Sequence, residues 1–408
     1  MQKPTTSQKD KVNIEFIALM ASLMAIVALS IDALLPALPD IGTDLGVIDV
    51  SRNQLLITMI FLGLGIGQLI FGPLSDAFGR KPIIYTGFVL FVIASIICVT
   101  TSSFEMMILG RILQGIGLSA PRTISIAMVR DTYSGDYMAK VMSFVVMVFI
   151  LVPVIAPTLG QFLITFYDWH SIFYVNLIFG IFVMLWFWKK QPETLRQEHK
   201  RDLSINRIVK GTQEFFRHKT AVVYTFVSGL ITGSFMVYLS TSQQIFEHQY
   251  HLADLFPYIF ASLAIAIGFS TFINSTLVLR FGMKRIAYTA AIAYSAVSIL
   301  YVILFSSGEN PDLSVLVIFF GLQFTSIGFL FGNLRSLAME PIGHIAGIGA
   351  AINGFISTIM AVPIANYIGS FVTNSVLPLF IGFSVCGFIS IIFFAFLNRK
   401  TKTQVIEQ

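Results

Sequence analysis

The sequence predicts an all-α integral membrane protein of twelve transmembrane helices in two pseudo-symmetric six-helix bundles. Three observations predict it. Of 408 residues, 56% are hydrophobic and 12% charged, against about 25% charged in an ordinary soluble domain. With a mean hydropathy of +0.81, much of the chain requires lipid as its solvent. Apolar stretches of about 20 residues, the length that crosses a bilayer, recur twelve times. Lysine and arginine gather in alternate connections between them, the pattern that sets orientation in a membrane.

The stretches run over 14–38, 54–73, 82–102, 104–129, 140–164, 171–188, 220–244, 256–279, 286–306, 313–335, 345–368 and 375–397. The residues before the first are polar and carry Lys3, Lys9 and Lys11. The apolar run after them is too long for a signal-peptide core and lacks a small-residue cleavage site, so it is expected to stay as span 1. The N-terminus, the 74–81, 130–140 and 280–285 loops, the 189–219 segment and the C-terminal tail hold nearly all basic residues. The other loops carry Asp40, Asp44, Asp168, Asp254, Glu309 and Asp312, with Arg52 as the exception. An even number of spans then places both termini in the cytoplasm.

The 189–219 segment is the longest polar stretch and holds nine Lys or Arg residues. It divides the chain into an N-terminal bundle (1–188), a basic cytoplasmic linker (189–219) and a C-terminal bundle (220–408). Phe78-Gly79-Arg80-Lys81 after span 2 and Phe281-Gly282-Met283-Lys284 after span 8 lie 203 residues apart, which points to duplication. Repeats of this kind place a substrate site at their interface near the membrane midplane.

Several function classes drop out. The net charge of +5 follows membrane orientation and does not call for nucleic acid. Cys98 and Cys386 lie in apolar stretches and read as packing residues. The histidines have no HExxH spacing, and no phosphate-binding loop is visible. Metal, cofactor and ATP are therefore not expected, and a membrane enzyme or sensor lacks a catalytic constellation or attached domain.

Charges within spans are costly and default to function. Span cores contain three: Asp32 in span 1, and Arg111 and Arg122 in span 4. Asp32 and Arg111 are each about 10 Å below the outer surface, at matched depth for one cavity. Eleven residues separate Arg111 from Arg122, which returns to nearly the same helix face roughly 16 Å deeper. Span 4 is thus expected to present two cations to one pathway. The alternative for each is a structural lock. Desolvation and a nearby guanidinium pull a carboxyl's proton affinity in opposite directions, which poises Asp32 to switch.

In the second half, Tyr224, Phe235, Met236 and Tyr238 in span 7 are candidates for an aromatic substrate cavity. Asn274, Gln323 and Asn353 are polar candidates, with interhelical hydrogen bonding as the other use. Gly63 and Gly67 read as a close-packing pair within the chain. Arg335 and Glu340 are expected to snorkel at the inner interface.

Six stretches resemble the major facilitator superfamily or one group within it. Gly72-Pro73-Leu74-Ser75-Asp76-Ala77-Phe78-Gly79-Arg80-Lys81-Pro82 is similar to its loop signature, in which Gly72, Asp76, Gly79 and Arg80 form a conformational latch. Arg111-Ile112-Leu113-Gln114-Gly115-Ile116-Gly117 resembles the span-4 signature, which implies a proton-coupling role for Arg111. Pro153-Val154-Ile155-Ala156-Pro157-Thr158-Leu159-Gly160-Gln161 resembles the span-5 antiporter signature, with Ala156 and Gln161 in place of its glycines; Pro153 and Pro157 are expected to kink the helix. Asp32-Ala33-Leu34-Leu35-Pro36-Ala37-Leu38-Pro39, Arg130-Asp131-Thr132-Tyr133 and Met339-Glu340-Pro341 resemble the bicyclomycin and chloramphenicol resistance group of drug–proton antiporters. The resemblance implies the major facilitator fold in a bacterial inner membrane. It also implies efflux of small amphipathic drugs driven by the proton gradient, with no cofactor. One copy of the chain is expected to suffice. A transporter of a nutrient, metabolite or siderophore on the same fold is the alternative, and Arg122 makes an anionic substrate one option there.

Overall fold

The computed structural model describes residues 13–133, 135–200 and 204–406; Lys3, Lys9 and Lys11 lie outside them. Among the described residues no strand occurs, and twelve helices of 19 to 32 residues make the body of the fold. They are α1 (Ile14–Asp32), α2 (Leu55–Phe78), α3 (Arg80–Thr100), α4 (Phe104–Thr132), α5 (Gly135–Phe166), α6 (His170–Lys190), α7 (Lys219–Gln244), α8 (Phe256–Phe281), α9 (Met283–Leu304), α10 (Leu313–Met339), α11 (Ala346–Gly369) and α12 (Leu377–Ile406). Eleven described segments are long and apolar enough to cross a membrane; in α5 the segment Leu151–Phe166 is apolar but shorter.

The helix of span 1 is broken within an apolar segment that runs over Ile14–Asp44. It stops at Asp32, and a tight turn, Leu35–Ala37, leads to a short helix, Leu38–Asp44. Pro36 and Pro39 explain the break, because neither can donate a backbone hydrogen bond. In α5 the helix is assigned continuously through Pro153 and Pro157, although Pro157 leaves the Pro153 carbonyl without its usual donor. The linker contributes a helix of its own, Ile205–Arg217, with Phe215 fully buried against Ala221, Ile342 and Ile352.

The packing of the first six helices is repeated in the last six. Contacts α1–α4, α1–α5, α1–α6, α2–α4, α3–α4 and α3–α6 have the counterparts α7–α10, α7–α11, α7–α12, α8–α10, α9–α10 and α9–α12. The two sets meet through α2 against α11 and α5 against α8, which are again counterparts. Side chains follow the same repeat. Gln114 Nε2 donates to Ser95 Oγ at 2.8 Å between α4 and α3, and Gln323 donates to Ser298 Oγ between α10 and α9.

Small residues set the distance between helices. A Cβ on Gly63 would strike the Ile112 carbonyl, so α2 and α4 pack with their backbones in contact. One turn further, Gly67 lies against Ser119; in the second half Gly328 lies against Ser270, the same contact with the small residue on the other helix. Gly79 (φ +112°) and Gly282 (φ +78°) make the two equivalent turns, in backbone conformations that glycine adopts without steric cost.

Candidate functional site

The turn between α2 and α3 builds the first cluster. After Gly79, Arg80 points back toward α2 and is 5% exposed. Its Nη1 bonds Asp76 Oδ1 at 2.5 Å and Ser75 Oγ at 2.8 Å, and its Nε bonds Asp131 Oδ2 at 2.8 Å. One guanidinium therefore ties the ends of α2, α3 and α4. Glu193, in the linker, closes the cluster from outside. Its carboxylate accepts from the Arg80 and Lys81 N–H groups at 3.1 and 3.0 Å, which caps the N-terminus of α3. Thr194 Oγ1 adds a bond to Asp131 at 3.2 Å. Sequence reasoning singled out Gly72, Asp76, Gly79 and Arg80 but missed Glu193, whose only signal is an acid in a basic linker.

A second arginine lies deeper. Arg111 is 1% exposed. Its Nε donates to the Leu56 carbonyl (2.8 Å), its Nη2 to the Ser30 carbonyl (3.0 Å) and its Nη1 to Gln114 Oε1 (2.5 Å). Gln114 passes the connection to Ser95, so Arg111 joins α1, α2, α3 and α4. Carbonyl oxygens have a second lone pair free for such a donor.

Asp32 is 5% exposed. Among the described residues its carboxyl has no hydrogen bond and no ion pair, so Asp32 and Arg111 have no direct bond. The link between them is backbone, through Ser30. The antiporter-like stretch of α5 lies alongside: a Cβ on Gly160 would collide with the Ala33 carbonyl and reach Pro36. Pro153 is half-buried and Pro157 buried.

The two ends of the molecule differ. At the end away from the Arg80 cluster, Gln54 Nε2 bonds Gln244 Oε1 (3.0 Å) and the Gly369 carbonyl (3.3 Å), and Thr58 Oγ1 bonds Asn366 Oδ1 (2.8 Å). These bonds draw α2, α7 and α11 together. At the basic end a cavity of about 180 Å³ lies between the halves. Its walls come from α2 (Gln68, Gly72, Asp76), α3 (Arg80), α4 (Arg122, Ile126, Arg130), α10 (Arg335), α11 (Ile348, Ala351) and the linker (Ser204, Ile208).

Arg122 reaches this cavity; Arg111 and Asp32 do not. The expectation that span 4 shows two cations to one pathway is therefore corrected, because the Arg111 donors are bound by neighbouring helices. Arg335, a turn before the end of α10 at Met339, also lies on the cavity wall.

The second-half candidates do not line this cavity. Tyr224 packs edge-on against Phe394. Phe235 and Tyr238 join Phe260, Phe320 and Phe324 in an aromatic cluster, with Tyr238 and Phe324 centroids 4.6 Å apart. Met236 is buried. Asn274 accepts from Asn333 at 2.7 Å, Asn353 donates to Thr225 at 2.7 Å, and Gln323 is held by Ser298. The Tyr238 hydroxyl is buried without a partner among the described residues.

Comparisons with known proteins follow this geometry. The sequence profile of the Major Facilitator Superfamily matches residues 20–365. The chain is 30% identical over 370 residues to an uncharacterized MFS-type transporter, YdgK, of Bacillus subtilis, covering 88% of this chain and 90% of that one. It is 27% identical over 391 residues to a bicyclomycin resistance protein homolog of Haemophilus influenzae, covering 94% and 96%. Its fold is similar to the crystal structure of a D-xylose-proton symporter, with a TM-score of 0.72, 15% identity, and 93% and 97% coverage. The repeated helix packing, the Asp76–Arg80 turn and the profile match together place the chain in the major facilitator superfamily of membrane transporters.

Proposed function

We propose that the chain exports small amphipathic molecules, drugs among them, in exchange for protons by alternating access. The observation that carries this reading is Asp32. It is a buried carboxyl without a partner among the described residues, at the proline-made break of α1. Such a carboxyl takes up or releases a proton without breaking a bond network, and acids inside membranes default to function. Arg111 holds the backbone two residues before it, and α5 packs against the residue after it, so a movement of either helix alters its surroundings. The resistance named for the Haemophilus influenzae relative supports export.

In this reading the basic end faces the cytoplasm of a bacterial inner membrane, with both termini on that side. The bonds of Gln54 and Thr58 close the outer end, and the cavity opens inward. Rocking of the halves reverses this, with the Asp76–Arg80–Asp131 cluster biasing the two states. The proton gradient supplies the energy without a cofactor. The protein carries its cargo unaltered and is no enzyme. One chain suffices, because the pathway runs between its own halves.

The test is proton movement in inverted vesicles on addition of chloramphenicol or bicyclomycin, comparing wild type with Asp32→Asn. Release by the wild type alone is expected. Release by both removes Asp32 as the proton carrier. Release by neither shifts the reading to a nutrient, metabolite or siderophore transporter on the same fold.

A further inference from the structure

Among the described residues, four arginines line the cavity at the basic end, Arg80, Arg122, Arg130 and Arg335, against one carboxylate, Asp76. Arg80 is taken up by Asp76 and Asp131. Among the described residues, the guanidinium groups of Arg122, Arg130 and Arg335 have no hydrogen-bond acceptor and no carboxylate within ion-pair distance. Arg122 and Arg335 are near enough for the charge of one to act on the other.

Arg122 is half-buried and Arg335 exposed on the cavity wall; two like charges facing one cavity repel, and an anion between them relieves that repulsion. The two come from different halves. Arg122 is on α4 and Arg335 on α10, the counterpart helix. Neither half has to hold the pair by itself, so a ligand between them is held by both halves. Arg130 adds a third charge that raises the local concentration of anions. The remaining wall is apolar, with Ile126, Ile348 and Ala351. A guanidinium fork suits an oxygen anion, which it can bind by two parallel hydrogen bonds.

We propose that this cavity is an oxyanion site, which holds the carboxylate, sulfonate or phosphate group of an amphipathic cargo between Arg122 and Arg335. The apolar wall takes the rest of the molecule. The cargo role rests on the transport reading above, whereas the binding chemistry stands without it. The same oxyanion chemistry occurs in an anionic lipid headgroup, and the experiment separates the two sources.

The full chain is placed in nanodiscs of phosphatidylcholine, with no gradient, and titrated calorimetrically with naphthalene-1-sulfonate. Naphthalene-1-methanol and naphthalen-1-ylmethylammonium serve as neutral and cationic comparators of the same shape. The sulfonate is expected to bind about ten-fold or more tightly than either, the difference of one charged hydrogen bond. Arg335→Gln and Arg122→Gln are each expected to remove about ten-fold of that preference. Arg335→Lys keeps the charge and retains part of it, which separates loss of the site from loss of the fold. Equal binding of the three probes overturns the proposal, as does sulfonate binding unchanged in both glutamine variants. Sulfonate binding abolished by phosphatidylglycerol in the disc overturns the cargo assignment, since a lipid then owns the site. Sulfonate selectivity in a protein whose Asp32→Asn variant still exchanges protons leaves this proposal standing and removes only the proton-carrier role of Asp32.

Discussion

Replacing Arg111 with leucine removes three side-chain hydrogen bonds at once, to the Leu56 and Ser30 carbonyls and to Gln114. Two of these bonds cross between helices and the Gln114 bond lies within α4; at about 0.6 to 1.7 kcal/mol for each interhelical bond the loss comes to roughly 1–3 kcal/mol before the Gln114 bond is counted. The variant also leaves Gln114 Oε1 buried without its donor, which holds the value toward the upper end. Arg111→Lys keeps the charge but not the three-way fork, and falls between leucine and wild type. Asp32→Asn is the control. It replaces a buried side chain of the same shape that has no bond to lose, and its effect is expected to stay within about 0.5 kcal/mol. Reversible unfolding in mixed micelles with increasing dodecyl sulfate measures all three. The reasoning is refuted if Arg111→Leu unfolds within about 1 kcal/mol of wild type, or if Asp32→Asn costs as much as Arg111→Leu.

Two further predictions concern the ends of the pathway. Arg80→Gln strands the carboxylates of Asp76 and Asp131; it is expected to slow transport about ten-fold or more, at about 1.5–3 kcal/mol per charged bond lost. Transport rates at saturating cargo check it, and an unchanged rate would deny the cluster a part in the cycle. Gln54→Leu with Thr58→Val removes the bonds to Gln244, Gly369 and Asn366, about 2–5 kcal/mol in favour of the outward-open state. Spin-label distances between the outer ends of α2 and α11 should lengthen; distances that match wild type would show that packing, not these bonds, closes that end.

Much of this fold is legible in the sequence because lipid leaves few alternatives. A run of about 20 apolar residues must be a helix with every backbone group satisfied internally. The equivalence of Gly79 and Gly282 was readable because the turn requires glycine at that φ. The break after Asp32 was written in Pro36 and Pro39, yet hydropathy alone runs across it. The site was less legible. Arg111 could be recognised as an intramembrane charge, but its partners on two other helices depend on registers that spacing does not give. That Arg335 shares a cavity wall with Arg122 could not be read, because it depends on how α4 and α10 face each other across the two halves. The linker helix Ile205–Arg217 and the capping role of Glu193 were missed, since a basic segment gives no sign of the surface it packs on.

A proton gradient alone is expected to drive the cargo. The most direct measurement uses purified protein in sealed proteoliposomes with a pH gradient imposed across the membrane and no other energy source. Bicyclomycin and naphthalene-1-sulfonate would be followed into the acidic lumen. Accumulation of at least one above its external concentration, abolished by dissipating the gradient and absent in Asp32→Asn, is the predicted result. Equal uptake with and without the gradient, or accumulation that persists undiminished in Asp32→Asn, would contradict the account.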